Sequence, residues 1–221
     1  MKLLLHCICR QAPVYPLPGP GIFLAAVHGL AAVLSQVEEA DSLPGLASLL
    51  AFEQVVEAIH ATQAVIPMRY GCLMEGEEAV IRLLENSRQA YDALLDRLDG
   101  MTEMGIRVLC PASLPTVPPI SLSPGSAYLA SLRERYPAGV SLAAQETQLA
   151  DRIAASLTGC YTEQRSEITQ ADQGRMLSLY FLTPKGCIED FRSRVREIDL
   201  DGVRLLMSGP WPPYNFVSLS G

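Results

Sequence analysis

Sixteen prolines in 221 residues constrain this chain more than any other feature, because they fall in clusters. Proline fixes φ and has no N–H, so a cluster fits neither a helix interior nor a central strand. Three clusters stand out: "QAPVYPLPGPG" at 11–21, "CPASLPTVPPISLSPG" at 110–125 and "GPWPP" at 209–213. The first reads as an irregular loop. The second holds five prolines in 16 residues and is the strongest composition shift in the chain, so it predicts a domain boundary. A length of 221 residues suits two small domains, here 1–110 and 111–221.

Between the clusters, hydrophobic periodicity supplies the elements. Residues 3–9 read as a strand, and "IFLAAV" and "LAAVLSQV" flank "HG" as a hairpin, although their alanines leave a helix open. "DSLPGLASLLAFEQVVEAIHATQ" predicts a helix with Asp41 or Ser42 as N-cap, Pro44 in its first turn and Leu49, Phe52, Val56 and Ile59 as its apolar stripe. After the β-type stretch "AVIPMRYGCLM", one long helix is expected from Glu75 to Gly100, burying Val80, Leu84, Tyr91, Leu95 and Leu98. "MGIRVLC" reads as a strand. The second half reads as helix over 127–157 with a break near "YPAG", then two strands, a helix and a strand. That order predicts an α+β protein of two domains, the C-terminal one ferredoxin-like, its first strand supplied by "IRVLC" or the linker. Alternation of strand and helix alone also permits a single α/β sheet.

Charge excludes some functions. The net charge is −7, with seven Lys+Arg against 13 Asp+Glu in residues 1–110 and ten against 11 in the remainder. Only two of the 17 basic residues are lysines, and no basic run forms an electrostatic footprint for nucleic acid. No apolar stretch reads as a membrane span, and "MKLLLHCICR" is too short for a secretion signal. The six cysteines lack framework spacing and are expected to be reduced and mostly buried, as in a cytoplasmic protein.

The search for chemistry finds little. In "HCIC", strand alternation places Cys7 and Cys9 on one face and His6 on the other. Cys-x-Cys is not a usual zinc pattern and no second ligand pair accompanies it, so core thiols are the better reading. His28 and His60 are isolated, and His60 is expected to meet a helix dipole. No catalytic, cofactor-binding or metal residues are assigned. In "VIPMRYG", Arg69 beside Tyr70 is expected to lie in a strand and pair with Glu53 or Glu57; an anion or partner contact is the alternative.

"GPWPPYNFV" is the remaining anomaly. It contains the only tryptophan, Trp211, with Pro212, Pro213, Tyr214 and Phe216 beside it, while aromatics form only 6% of the chain. Prolines stiffen this backbone before any contact is made. The segment either seals the contact between domains or presents a recognition surface; we expect Trp211 to face inward, with Tyr214 and Phe216 bracing one domain against the other.

Taken in order, "GLAAVLSQV", "FEQVVEAIHATQAVIPMRYGCLM", "LDGMTEMGIRV", "AYLASLRERY" and "GPWPPYNFV" resemble the gas vesicle protein F/L family over nearly the whole chain. The F type is the nearer in length and linker. The resemblance implies a minor structural or assembly protein of the gas vesicle, without catalytic residues or cofactor, located in the cytoplasm with the vesicle. Its implied partners are the main hydrophobic shell protein and other minor gas vesicle proteins, and neither nucleic acid nor membrane. The competing reading is a small-molecule-binding or redox enzyme on a ferredoxin-like domain, motivated by "HCIC".

Overall fold

The computed structural model describes residues 2–10, 17, 19–37, 45–111, 144–171, 174–200 and 204–217. Most of the first proline loop, residues 112–143 of the linker and following helical stretch, and the expected caps Asp41, Ser42 and Pro44 lie outside them. The chain is α+β with two antiparallel sheets. It forms two compact units: Met1–Glu103 with Leu182–Gly186 and Gly209–Gly221, and Met104–Phe181 with Cys187–Ser208. A single cut at 110/111 does not separate them, because strands of the second sheet carry the chain from one unit to the other three times. The proline-aromatic segment, expected in the C-terminal half, counts with the first unit.

The first unit is built on β1 (Lys2–Arg10), β2 (Ile22–Val27), β3 (Leu30–Gln36), β4 (Val65–Pro67) and β5 (Leu73–Glu75). Sheet order is β2-β3-β1-β4, with β5 also on β1, all antiparallel. The β2–β3 hairpin closes at Val27↔Leu30 over His28 and Gly29, both with positive φ (50° and 86°). That conformation matches the strand twist in two-residue turns, which settles the hairpin against the helical alternative. Both sheet faces are covered. On one lies α1 (Leu46–His60), which buries Phe52, Val55, Val56 and Ile59 against Cys7, Cys9, Ala31, Val33 and Val65. The alternate side chains, including Leu3, Leu5, Ile8 and Leu34, are fully buried on the other face, along which α2 (Glu77–Asn86) and α3 (Arg88–Leu98) pack.

Two expectations change here. The N-cap of α1 is Gly45, without a side-chain cap bond. The long helix is interrupted at Ser87, whose φ and ψ are −108° and 13°, and Glu75 belongs to β5 rather than to the helix start. Asn86 and Ser87 compete for backbone hydrogen bonds and are weak in a helix interior. The expected apolar set, Val80, Leu84, Tyr91, Leu95 and Leu98, is buried despite the interruption.

The second sheet has the order β7-β8-β6-β9. Its strands are β6 (Met101–Pro111), β7 (Glu163–Ala171), β8 (Gly174–Pro184) and β9 (Leu205–Trp211). Within the second unit, Met104, Ile106 and Val108 of β6 and Leu177, Leu179 and Phe181 of β8 alternate toward one core. Helices α4 (Ala144–Ser156) and α5 (Ile188–Glu197) close that core with Ala150, Ile153, Phe191 and Val195. Phe181 meets Tyr161 and Phe191 edge-on, with centroids 5.0 and 5.4 Å away. Gly105 lets β6 pass Ser208: a Cβ there would lie 2.6 Å from the Ser208 Oγ.

Candidate functional site

The α1 face of the first unit gathers its most unusual side chains, and an irregularity in β1 puts them there. The register runs Leu5↔Leu34 and then Cys7↔Val33, so His6 is the extra residue of a β-bulge. The bulge resets the alternation. His6 and Cys7 therefore both face α1, whereas regular pleating would set His6 opposite to Cys7 and Cys9. On the other edge of β1 the irregularity is matched by the loop from Met68 to Cys72. Met68 N donates to His6 O and Leu5 N donates to Cys72 O, each at 2.9 Å.

This loop carries Arg69 and Tyr70. Tyr70 turns toward α1 and meets Phe52 edge-on at 5.3 Å, while His6 stacks on the other side of the arrangement, 4.7 Å from Phe52 at 20°. Arg69 lies in this turn rather than in a strand and is exposed, and no ion pair to Glu53 or Glu57 forms. Its charge is solvated, so the burial that required a partner does not arise.

Beside His6, Phe52 and Tyr70 opens a cleft of about 680 Å³, between α1, the ends of β1 and β3 and the loop before β5. His6 is only 3% exposed, and its Nε2 lies 3.0 Å from the Ser35 Oγ, while Nδ1 has no hydrogen-bond partner. Burial lowers its pKa from 6.5 to about 4, against an opposing influence of the Phe52 backbone. The ring is therefore neutral at physiological pH. Phe52, Tyr70, Leu4, Ile22 and Val55 give the cleft apolar walls. Outside the lining, the first two turns of α1 leave Leu46 73% and Leu50 48% exposed.

The proline-aromatic segment is fastened to the same unit. The side chain of Glu103, 4% exposed, accepts from Asn215 N at 2.8 Å and from Asn215 Nδ2 at 2.7 Å. Thr102 Oγ1 donates to Trp211 O at 2.9 Å, and an Arg97 guanidinium nitrogen donates to Phe216 O. Pro212 and Pro213 are buried, and Phe216 is fully so. Tyr214 packs on the cluster that holds Phe52 and Cys7, where burial, with Glu53 next, raises its pKa far above the ordinary value. Trp211 is 43% exposed, contrary to the inward orientation expected of it. Its carbonyl is held while its indole is not enclosed.

Of the seven residues singled out in the sequence, Tyr70 and Tyr214 thus meet one apolar cluster. Pro212, Pro213 and Phe216 are interior, and Arg69 and Trp211 face outward. Glu103 and the His6–Ser35 pair were not singled out. Their partners lie 112 and 29 residues away, so no local pattern marks them.

Chemical reactivity is suppressed at the two thiols of β1. All six cysteines are free; Cys7, Cys9 and Cys160 are buried, and the other three are partly exposed rather than core residues. Burial raises the pKa of Cys9 to about 11 and that of Cys7 well above its ordinary value, leaving little thiolate at neutral pH. His60, the last residue of α1, is buried without a bond to either ring nitrogen, and burial followed by the Lys185 charge lowers its pKa to about 4. A neutral ring gains little from the helix dipole; instead Lys185 Nζ donates to the His60 carbonyl at 2.7 Å. Among the described residues, no three His, Cys, Asp or Glu side chains are grouped to hold a metal, and no helix is long and apolar enough to cross a membrane.

Comparison with known proteins supplies a lineage. Residues 3–218 match the family described as gas vesicle synthesis protein GvpL/GvpF. Gas vesicle protein F2 of Halobacterium salinarum is 24% identical over 207 residues, covering 89% of this chain and 80% of the relative. Gas vesicle protein L of a Streptomyces species is 25% identical over 199 residues, covering 84% and 74%. The crystal structure of gas vesicle protein GvpF from Microcystis aeruginosa aligns with a TM-score of 0.71 at 17% identity over 99% of both chains. That of GvpF from Anabaena aligns with a TM-score of 0.68 at 20% identity, over 100% of this chain and 99% of that one. The match spans nearly every residue and the fold agrees throughout: this chain belongs to the GvpL/GvpF family of gas vesicle synthesis proteins.

Proposed function

We propose that this protein is a non-enzymatic assembly factor of the gas vesicle that binds the main hydrophobic shell protein and supports nucleation or growth of the shell. Family membership supports a part in gas vesicle formation. The observation that carries the finer reading is exposed apolar surface on well-formed elements: Leu46 and Leu50 on α1, and Trp211 on an anchored backbone. Such surface on an otherwise acidic protein fits a partner that is itself apolar, while the net charge of −7 keeps the unbound protein dispersed. Other minor gas vesicle proteins are further partners in this reading.

The second unit is read as a ferredoxin-like domain. Its chain order β6-α4-β7-β8-α5-β9 and sheet order β7-β8-β6-β9 support that reading. The competing enzyme reading, built on "HCIC" in β1 of the first unit, would depend on thiols that burial keeps protonated.

Capture of purified main shell protein by the intact chain tests the function, with detection of the protein in isolated vesicles as a second arm. Binding in solution is the expected result. No capture, together with no detectable copy in vesicles, overturns the reading.

A further inference from the structure

We propose that the cleft on the α1 face is the docking site for an uncharged, apolar segment of the main shell protein, one of whose polar groups meets the His6–Ser35 pair. This rests on the function proposed above and assigns it a place.

The lining decides the chemistry of the occupant. Among the described residues, sixteen line the cleft, and none of these is Asp, Glu, Lys or Arg. At 19% charged residues overall, a random surface of that size would carry about three. A charged ligand group would find no counter-ion among these described residues, and an unpaired charge in such a site is strongly disfavoured. The volume of about 680 Å³ lies within the range of specific ligand sites and admits a few apolar side chains.

The rim favours a polypeptide segment over a small molecule. Leu50 lies one helical turn before the lining residue Gln54, on the same helix face and 48% exposed, and the lining residue Leu73 is also 48% exposed. Apolar surface therefore continues out of the cleft along the first turns of α1, which carry no charge from Leu46 to Phe52. A peptide laid in a groove uses such a continuous surface, with its apolar side chains as anchors. The His6–Ser35 pair adds register. A neutral imidazole and a hydroxyl together donate or accept, so they satisfy an amide or hydroxyl that enters an otherwise apolar wall. A segment of the wrong register leaves that polar group unmatched.

The test uses the full 221-residue chain and a soluble fusion of the main shell protein, with the dissociation constant as readout. Ser48→Arg and Ala51→Asp place charges of opposite sign at exposed helix positions on the cleft wall, where neither disturbs the core. Ala58→Asp, on the same helix but outside the cleft, is the matched control. Both cleft variants are expected to weaken binding at least about tenfold, with the control within about twofold of the parent. A photo-crosslinker at the exposed lining residue Gln54 should also capture the shell protein, and one at Ala58 should not.

If one charge weakens binding and the other strengthens it, the occupant is charged and the proposal fails. If the parent binds and both cleft variants bind equally well, the site is wrong while the function above stands. If the parent itself does not bind, this occupant falls, and the function above falls with it when isolated vesicles also hold no detectable copy.

Discussion

Trp211 and Phe216 lie in one short segment and are held by neighbouring bonds, yet they differ in what their removal should do. Phe216 is fully buried, so Phe216→Ala should cost about 3–5 kcal/mol of stability in denaturant unfolding. Trp211→Ala should leave stability nearly unchanged, within about 1 kcal/mol, because the indole is 43% exposed and the bond from Thr102 goes to the backbone. A large loss for Trp211→Ala would contradict the orientation described. Glu103→Ala should cost about 1–3 kcal/mol, since it strands both the amide and the side-chain nitrogen of Asn215. The two buried histidines set a pH dependence. His6 and His60 have pKa values lowered from 6.5 to about 4, so the unfolded chain binds their protons more readily than the folded one. The stability each contributes is present above about pH 6.5 and is lost as the pH falls toward 4. Urea unfolding of the parent and of His6→Phe at pH 7 and 4.5 isolates the effect from that of the carboxylates. The variant should lose less stability across that interval, and equal losses would refute the assignment.

Elements were legible wherever the signal was local. "HG" between two β-rich runs gave the hairpin because a two-residue turn with positive φ has a strong residue preference. The apolar spacing of α2 and α3 identified the right buried residues. It did not show the interruption at Ser87, because a change of backbone angles at one residue leaves the spacing of its neighbours nearly intact. The bulge at His6 was invisible for a related reason. "LLLHCIC" is apolar on both faces, so the sequence contains no polar alternation whose reversal would mark an inserted residue. The cleft depends on that insertion and on a loop more than 60 residues later, which explains why neither Ser35 nor His6 was singled out for it. A strand-level contact gives a separate prediction. Gly105→Ala should destabilise the second unit by about 1 kcal/mol through the clash with Ser208 Oγ, and Ser208→Gly in the same chain should restore most of the loss. Thermal unfolding of the single and double variants distinguishes this from a simple effect of losing a glycine.

For the molecule as a whole, family and α+β class were readable because ordered sequence patches run the length of the chain. The grouping of segments was not, because proline clusters report where regular structure stops and carry no information about which distant strand comes next. Here the first unit is assembled from three separate stretches, and residues 209–217 supply its Phe216, Tyr214 and the ligand of Glu103. This has a consequence for how the protein is made. A ribosome delivers the first 103 residues long before it delivers Phe216. During that interval α3 and the start of β6 wait with the Glu103 carboxylate and the site of Phe216 unfilled. Completion of the first unit therefore waits until residues 209–217 have followed the whole second unit off the ribosome, and a nascent chain stalled in the second unit displays an apolar hollow of the kind that chaperones hold.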